Sequence, residues 1–347
     1  MSLSTLPLPD GRAVREVELA TEAGAKARIM ELGAVLRDLT VKLRDGRDQR
    51  VVLGFPTPDT YDGHSHHAGS IAGRYANRIA HGRFSLDGQP FQLPLNEGGR
   101  HTLHGGAMGF DRLIWSIVEQ GSKAVTFALS SPAGDQGFPG NLRVWCRYQL
   151  SEPATLSLDI AATTDAPTIV NLAQHSYFNL DGSEDARNHE LMVAADHYTP
   201  TDVELIPTGE IATVEGTPYD FRQMRPIRHV PQGATAQFGY DINFVLRRSQ
   251  IERVGDLELA PAATLRSRRN GLSLALWTSE PGLQVYDSFS MRKTAPGLDG
   301  RPYGVGSGIA LEAQLFPDSP NRPYFPSAVL RPGETYRQRT EYRFVLG

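Results

Sequence analysis

Val144-Trp-Cys-Arg-Tyr-Gln-Leu150 decides the fold class, because every second side chain in this stretch is apolar or aromatic. The alternating residues are Val144, Cys146, Tyr148 and Leu150. Alternation with a period of two is typical of a β-strand that turns one face to a hydrophobic core and the other to solvent. The stretch therefore predicts a half-buried strand in which Cys146 is buried and chemically inert.

Four more segments repeat this alternation, and turn signals lie between the segments. The alternating sets are Val125/Phe127/Leu129, Leu156/Leu158/Ile160, Leu272/Leu274/Leu276 and Tyr336/Thr340/Tyr342/Phe344/Leu346. The turn signals are Leu86-Asp-Gly88, Pro132-Ala-Gly134, Asn270-Gly271 and Arg331-Pro-Gly333. Short alternating strands punctuated by such turns predict an all-β fold, a large antiparallel β-sandwich.

Helical patterning is weak, and nothing in the sequence marks a domain boundary. The 34 glycines and 24 prolines recur at short intervals and leave room for only a few short helices. A length of 347 residues would allow two domains, although all-β proteins often exceed the usual domain size. Since the chain has no internal repeat and no low-complexity linker, we expect residues 1–347 to form a single domain.

Composition and charge exclude several classes of function. A hydrophobic content of 40% and a charged content of 21% are those of an ordinary globular protein. The net charge is only -4, and the scattered Lys and Arg residues offer no basic surface to a nucleic acid or an anionic membrane. No apolar run approaches the ~20 residues of a spanning helix, and the first residues do not resemble a secretion signal. We therefore expect a cytoplasmic enzyme, and small neutral ligands remain open.

His175 lies in a segment that suits a proton-transfer group. The segment reads Asn171-Leu-Ala-Gln-His-Ser-Tyr-Phe-Asn-Leu180 and contains no lysine, arginine or carboxylate. An imidazole gains or loses its proton near neutral pH, and uncharged polar neighbours can orient the ring without fixing its protonation state. His175 is therefore a candidate acid or base.

Glu312 interrupts an apolar strand between Ile309 and Phe316. Strict alternation puts its side chain on the same face as those of Ala310 and Gln314. That face is either solvated or lines a cleft. In a cleft, loss of solvation would raise the pKa of the carboxyl group and make the carboxylate a stronger base.

Other polar residues stand beside turn glycines or enter strands. Asn77 and Arg78 offer an amide and a fork of donors, which suit the ring hydroxyls of a ligand as well as they suit a turn amide and a surface ion pair. His104 precedes two glycines that allow close approach, although a histidine that caps a turn is the simpler interpretation. Asp241 enters an apolar strand and Gln284 follows a turn, and each has an equally ordinary structural interpretation.

Metal, nucleophile and cofactor sites find little support in the sequence. His64, His66 and His67 lie close together, but no carboxylate or cysteine has a usual ligand spacing beside them, which favours a solvated loop. Ser65 and Ser176 have adjacent histidines without a nucleophile elbow, and no phosphate-binding glycine loop is present. We therefore expect neither a metal nor a cofactor.

Taken together, the polar segments resemble the aldose 1-epimerase (galactose mutarotase) family from about Gly69 to the C-terminus. The His175 segment and the Glu312 segment are the most specific, and a lone Leu-His-Gly-Gly sequence would be less so. The segments that carry the resemblance are Gly73-Arg-Tyr-Ala-Asn-Arg-Ile79, Leu103-His-Gly-Gly-Ala-Met-Gly-Phe-Asp111, Gly137-Phe-Pro-Gly140, Asn171–Leu180, Leu205-Ile-Pro-Thr-Gly209, Gly216-Thr-Pro-Tyr-Asp-Phe-Arg222, Gly239-Tyr-Asp241, Phe316-Pro-Asp-Ser-Pro-Asn321 and Phe325-Pro-Ser327.

The resemblance implies a galactose mutarotase-like supersandwich with a carbohydrate site in a cleft on one sheet face. It also implies interconversion of the α and β anomers of a cyclic aldose such as galactose or glucose. Glu312 matches the general base that takes the proton of the C1 hydroxyl, and His175 matches the general acid that protonates the ring oxygen. His104 matches a position that assists at the ring oxygen. The implied sugar contacts are Asn77, Arg78, Asp241 and Gln284.

The chain departs from the family pattern at one place, and two alternative functions remain open. After Gln284 the chain continues Val285-Tyr-Asp-Ser-Phe289, where the family has a Thr-Gly-Asn-like turn, and this difference bears on substrate preference. The rivals are a hexose-phosphate epimerase, for which Arg74, Arg78 and Arg83 would have to converge, and a non-catalytic sugar-binding or sensing protein on the same scaffold. The expected partner is a monosaccharide, and the chain is expected to be a monomer or a homodimer.

Overall fold

The computed structural model describes residues 2–8, 10–61, 66–230 and 238–345, and β-strands dominate it. In chain order the strands are β1 Ser2–Pro7, β2 Ala13–Ala20, β3 Lys26–Met30, β4 Val35–Lys42, β5 Asp48–Arg50, β6 Ile71–Ala72, β7 Arg78–Ile79, β8 Arg83–Leu86, β9 Gln89–Gln92, β10 Thr102–Leu103, β11 Ser116–Gln120, β12 Ala124–Ser131, β13 Leu142–Ser151, β14 Thr155–Thr164, β15 Thr168–Ile169, β16 Ala173–Gln174, β17 Tyr177–Phe178, β18 Glu190–Val193, β19 Ala195–Thr199, β20 Ala212–Thr213, β21 Arg225–Pro226, β22 Asp241–Leu246, β23 Glu252–Val254, β24 Leu257–Arg266, β25 Ser273–Thr278, β26 Gly282–Tyr286, β27 Ile309–Gln314, β28 Val329–Leu330 and β29 Tyr336–Val345.

Helices in the described residues are short 3₁₀ turns. They lie at Pro58–Tyr61, Ala80–Gly82, Phe110–Arg112, Asp135–Gly137, Ala186–Asn188 and Ser319–Asn321. Within the same residues, no helix is long and apolar enough to cross a membrane. The prediction of a few short helices is confirmed.

Three antiparallel sheets carry most of the strands. A ten-stranded sheet has the order β11-β12-β13-β14-β29-β25-β24-β18-β21, with β23 paired to β24. A five-stranded sheet runs from β1 to β5 in chain order, and a six-stranded sheet has the order β17-β27-β26-β22-β19-β20. The predicted antiparallel all-β architecture is therefore confirmed.

The five alternating segments map to the ten-stranded sheet, on β12, β13, β14, β25 and β29, and Leu272 directly precedes β25. The quoted stretch occupies β13, where Val144, Cys146 and Tyr148 are fully buried. At the end of β29 the predicted alternation includes Leu346, which lies outside the described residues. The turn at Asp87-Gly88 joins β8 to β9 with positive φ angles of 50° and 79°, the conformation of a tight two-residue hairpin.

One continuous hydrophobic core receives side chains from all three large sheets. Phe127 and Tyr148 come from the ten-stranded sheet, Leu19 from the five-stranded sheet, and Leu283 and Leu311 from the six-stranded sheet. Because side chains alternate along a strand, the six-stranded sheet buries one face in this core and turns its other face away from it.

That other face of the six-stranded sheet carries polar side chains in register. Asn243 on β22 pairs with Gln284 on β26, which in turn pairs with Glu312 on β27. The neighbouring row begins with Asp241, which pairs with Tyr286. The sheet therefore lines up amide and carboxyl groups on a surface that does not belong to the main core.

Candidate active site

Glu312 occupies the middle of β27, and all six residues of this strand are buried. Its side chain is 2% exposed. Burial raises the pKa of Glu312 well above its usual value, the nearby Asp241 carboxylate raises it further, and Arg78 opposes the shift. The alternative of a solvated face is therefore wrong, and the carboxyl group lies in a dry environment.

His175 faces Glu312 from the short connection between β16 and β17. Its backbone N–H donates to Ser70 O and its carbonyl accepts from Gly69 N, both at 2.9 Å, so the chain is held on both sides of the ring. The His175 Nε2 atom lies 3.6 Å from Glu312 Oε1. Burial lowers the pKa of His175 to about 3, and the neighbouring His67 contributes to the shift.

Burial therefore acts on both members of this pair in the direction that removes charge. The carboxyl group retains its proton more strongly than usual and the imidazole binds a proton less strongly. With one proton between them, the two groups can exist as a carboxylic acid with an imidazole or as a carboxylate with an imidazolium, and burial disfavours the second of these forms.

His104 is fixed as a hydrogen-bond donor by a reciprocal contact with Asn77. The Asn77 backbone N–H donates to the ring atom Nδ1 of His104 at 3.2 Å, and the His104 backbone N–H donates to the Asn77 carbonyl at 3.1 Å. Because Nδ1 is an acceptor, the proton of the neutral ring lies on Nε2. Burial is the main reason that the pKa of His104 is lowered well below its usual value, which keeps the ring in this neutral form.

Close backbone approach makes this contact possible. Asn77 and His104 both have positive φ angles, 63° and 50°. Gly105 follows His104 with a φ of 86°, and a Cβ atom there would lie 2.0 Å from Gly73 O. The glycine of the Leu-His-Gly-Gly segment is therefore required by packing against the segment that carries Arg78.

Arg78 links the loops to the sheet through two carboxylates. Its Nε and Nη2 atoms donate to Glu97 at 2.8 and 2.7 Å, and Nη1 lies 3.5 Å from Asp241 Oδ2. On the other side of Asp241, Gln284 Nε2 donates to Oδ1 at 2.6 Å. The interpretation of Arg78 as a surface ion pair is therefore wrong, because its side chain is 9% exposed.

Several polar atoms of the site have no hydrogen-bond partner among the described residues. They are His175 Nδ1, Gln284 Oε1 and Glu312 Oε2. Buried polar atoms are rarely left unpaired in folded proteins, since each costs the solvation it has lost. Donors and acceptors left open in this way fit a ligand that carries several hydroxyl groups.

The same residues include one group with metal-ligating potential within the described ranges of the chain. The ligand atoms of His104, His175 and Glu312 lie within 4.8 Å of one another. However, the Asn77 N–H occupies Nδ1 of His104, so its remaining ring nitrogen bears the proton and cannot coordinate a cation in that tautomer. The cluster is better suited to hydrogen bonding than to a metal.

His67 and Glu97 belong to the site, although neither was predicted from the sequence as a functional residue. The prediction of a solvated loop is wrong for His67, whose ring centroid lies 4.6 Å from that of His104 and 5.8 Å from that of His175. His66 is half-buried, and His64 lies outside the described residues. A contact between His67 and Asp111, which are 44 residues apart in the sequence, holds the loop at the site. No local sequence pattern predicts this contact.

A comparison with known proteins identifies the family. The sequence model of the family described as "Aldose 1-epimerase" matches residues 15–343. The chain belongs to the aldose 1-epimerase family. It is 39% identical to the aldose 1-epimerase of Escherichia coli K12, over 97% of each chain. It is also 37% identical to the galactose mutarotase of Homo sapiens, over 97% of this chain and 95% of the human protein.

Solved structures of this family share the fold. An aldose epimerase homologue from C. elegans superimposes with a TM-score of 0.88 at 29% identity, and the match covers 99% of both chains. A galactose 1-epimerase from Lactobacillus acidophilus gives a TM-score of 0.83 at 27% identity, over 100% of this chain and 98% of the other. The predicted galactose mutarotase-like fold is therefore confirmed.

Replacing Glu312 by Gln is expected to stabilise the protein without ligand. Because the folded-state pKa of Glu312 is raised above its unfolded value, its contribution to stability is full at low pH and is lost as the pH rises. At pH 7 a neutral amide avoids that cost, and we expect the thermal midpoint to rise by about 2–5 °C, with a smaller difference near pH 4.

Calorimetry across this pH range measures the effect, with Glu210→Gln as a control at an exposed position. An equal or lower midpoint for Glu312→Gln at pH 7 contradicts the buried, high-pKa description of Glu312.

Proposed function

We propose that this protein is a mutarotase that interconverts the α and β anomers of a cyclic aldose, with Glu312 as base and His175 as acid. The observation that carries the proposal is the buried pair itself. The two side chains face each other at 3.6 Å, and each has a polar atom without a partner among the described residues. An acid and a base at this separation can serve the two oxygens bound to a single anomeric carbon.

Ring opening uses both groups at once. Glu312 takes the proton of the C1 hydroxyl, the C1 oxygen forms a carbonyl, and the bond from C1 to the ring oxygen breaks. The electron pair of that bond goes to the ring oxygen, which takes a proton from His175. Rotation about the C1–C2 bond then presents the other face of the carbonyl, and closure reverses both proton transfers. Neither a proton nor an electron is gained or lost over the cycle.

The two one-proton forms of the pair match the two forms of the sugar. The closed sugar requires a carboxylate and an imidazolium, whereas the open sugar requires a carboxylic acid and a neutral imidazole. Burial disfavours both charges of the first form. Proton transfer during ring opening removes both charges, so burial favours that step once the charged pair faces the closed sugar.

The surrounding groups suit the remaining parts of a sugar. The Nε2–H of His104 is a fixed donor for the ring oxygen, and Asn77 holds that donor in place. Arg78, Asp241 and Gln284 offer donors and acceptors to adjacent hydroxyls.

Aromatic side chains lie on the same side of the sheet. The ring of Tyr177 is 5.0 Å from that of His175 and 6.1 Å from that of Tyr286. Aromatic rings commonly cover the apolar face of a sugar, and Tyr286 is the half-buried member of this pair. We infer that Tyr286 contacts the substrate in this way.

The contacts of the arginines argue against a phosphorylated substrate. Arg74 is buried, and its guanidinium donates to backbone carbonyls at Ser131, Pro132, Pro139 and Gly140. Arg83 donates to the Gln92 side chain at an exposed position. The three arginines therefore do not converge on one anion, and a neutral aldose is the preferred substrate class.

The relatives named galactose mutarotase favour galactose as the aldose. A non-catalytic sugar-binding protein would have no need of a base and an acid in contact, and a buried carboxyl group of high pKa carries a cost in stability. The presence of both Glu312 and His175 therefore favours catalysis over sensing.

Glu312→Gln and His175→Asn should each slow enzymatic mutarotation of galactose by roughly 10²–10⁴-fold, because each removes one positioned proton-transfer group. Polarimetry of freshly dissolved α-galactose measures the rate, after subtraction of the uncatalysed reaction. Glu210→Gln and His197→Asn are matched controls at exposed positions and should retain the wild-type rate. A folded Glu312 or His175 variant with near wild-type rate would remove that residue from the chemistry.

Arg78→Ala should act mainly on sugar binding. Loss of the guanidinium removes a donor to the sugar and leaves Asp241 without its cationic neighbour, so we expect KM to rise about tenfold while kcat changes less. Initial rates over a range of galactose concentrations separate the two constants. A fall in kcat at unchanged KM would assign Arg78 to the transition state instead.

A further inference from the structure

A third imidazole, that of His67, lies against the two predicted to act on the sugar. Its ring is tilted by 54° to that of His104 and by 41° to that of His175. The side chain of His67 is 29% exposed, whereas those of His104 and His175 are buried. Among these three rings, His67 is therefore the one that a ligand entering from solvent meets first.

Asp111 fixes the orientation of the His67 ring. His67 Nδ1 lies 2.9 Å from Asp111 Oδ2. Burial by itself would raise the pKa of Asp111, but the hydrogen bond and charge of His67 hold it below its usual value, so the carboxylate is the acceptor. The Nδ1 atom of His67 is then the donor, and Nε2 is left to form a hydrogen bond with a ligand.

The backbone around His67 is anchored to the active-site strands. Ser70 Oγ donates to the His67 carbonyl at 2.8 Å, and the Tyr177 hydroxyl donates to the His66 carbonyl at 3.0 Å. Ser70 also accepts from the backbone N–H of His175. The position of the His67 ring is thus tied to the same strands that position His175.

We propose that His67 is a substrate-contacting residue of this enzyme, whose Nε2 atom forms a hydrogen bond with a hydroxyl of the cyclic aldose, and that Asp111 is the positioning residue that presents it. The inference rests on the proposed mutarotase function, because it takes the sugar to lie against His104 and His175. A carboxylate that selects one histidine tautomer is a general means of fixing which nitrogen faces a ligand.

His67→Ala tests the contact. We expect KM for galactose to rise about 5- to 20-fold, the usual effect of one lost hydrogen bond to a ligand, with kcat changed by less than about threefold. His197→Ala removes an exposed histidine from β19 and should leave both constants unchanged. A 5- to 20-fold fall in kcat with no change in KM for His67→Ala would overturn the proposal.

A series of singly deoxygenated sugars separates contact from a structural role. If His67 binds one hydroxyl, wild type should discriminate against the sugar that lacks it by a factor that disappears in His67→Ala, while discrimination against the other deoxy sugars stays the same. Identical losses for every sugar in the series would show that His67 only supports the fold, and would also overturn the proposal.

Asp111 gives a second test with a built-in rescue. Asp111→Ala should raise KM in the same direction as His67→Ala, and the double variant should be no worse than His67→Ala alone. Asp111→Asn should recover most of the loss, because its amide oxygen still accepts from Nδ1. Fully additive effects of the two alanine substitutions contradict a shared role.

Galactose binding to a catalytically impaired variant tests the His67 contact separately from the proposed proton transfers. Isothermal titration of galactose into Glu312→Gln, with and without His67→Ala, reports affinity without turnover. If Glu312→Gln retains full activity, the proposed mechanism fails, yet a 5- to 20-fold weaker Kd in the double variant still supports the His67 contact. An unchanged Kd overturns it whatever the outcome for Glu312.

Discussion

Burial of a carboxyl group and an imidazole side by side is the constraint on which the site depends. Glu312 and His175 lie 3.6 Å apart with almost no exposure to solvent, and burial disfavours the charged form of each. In the proposed mechanism, proton transfer to and from the sugar couples these two groups. A solvated pair would lose this coupling, because water would stabilise the separated charges and compete for the same proton.

The fold achieves this burial with a sheet that has two different faces. Leu311 and Leu283 enter the main core while Glu312 and Gln284, one position along, point to the opposite side. Loops that carry His67, Asn77 and His104 then cover that side. The hydrophobic core thus fixes the register of β26 and β27, and this register determines which carboxyl and amide groups stand side by side.

The sequence predicts those features that are local. Alternation around Tyr148 predicts strand β13, and the spacing of Ala310, Glu312 and Gln314 predicts a shared face. It does not predict whether that face is wet or dry, because dryness depends on loops far away in the chain. The roles of His67 and Glu97 are hidden for the same reason, since their partners Asp111 and Arg78 are 44 and 19 residues distant. The sequence also does not predict histidine tautomers, because the tautomer of His104 is set by a hydrogen bond from the backbone N–H of Asn77.

The neutral state of the buried His175 ring is the central claim, and ¹⁵N NMR of histidine-labelled protein tests it most directly. In the sugar-free protein between about pH 6 and 8, the account predicts a neutral ring for His175, and a neutral ring protonated at Nε2 for His104. Comparison with the spectrum of His175→Asn assigns the ring signals of His175. An imidazolium at His175 in the folded, empty protein over this range would contradict the account.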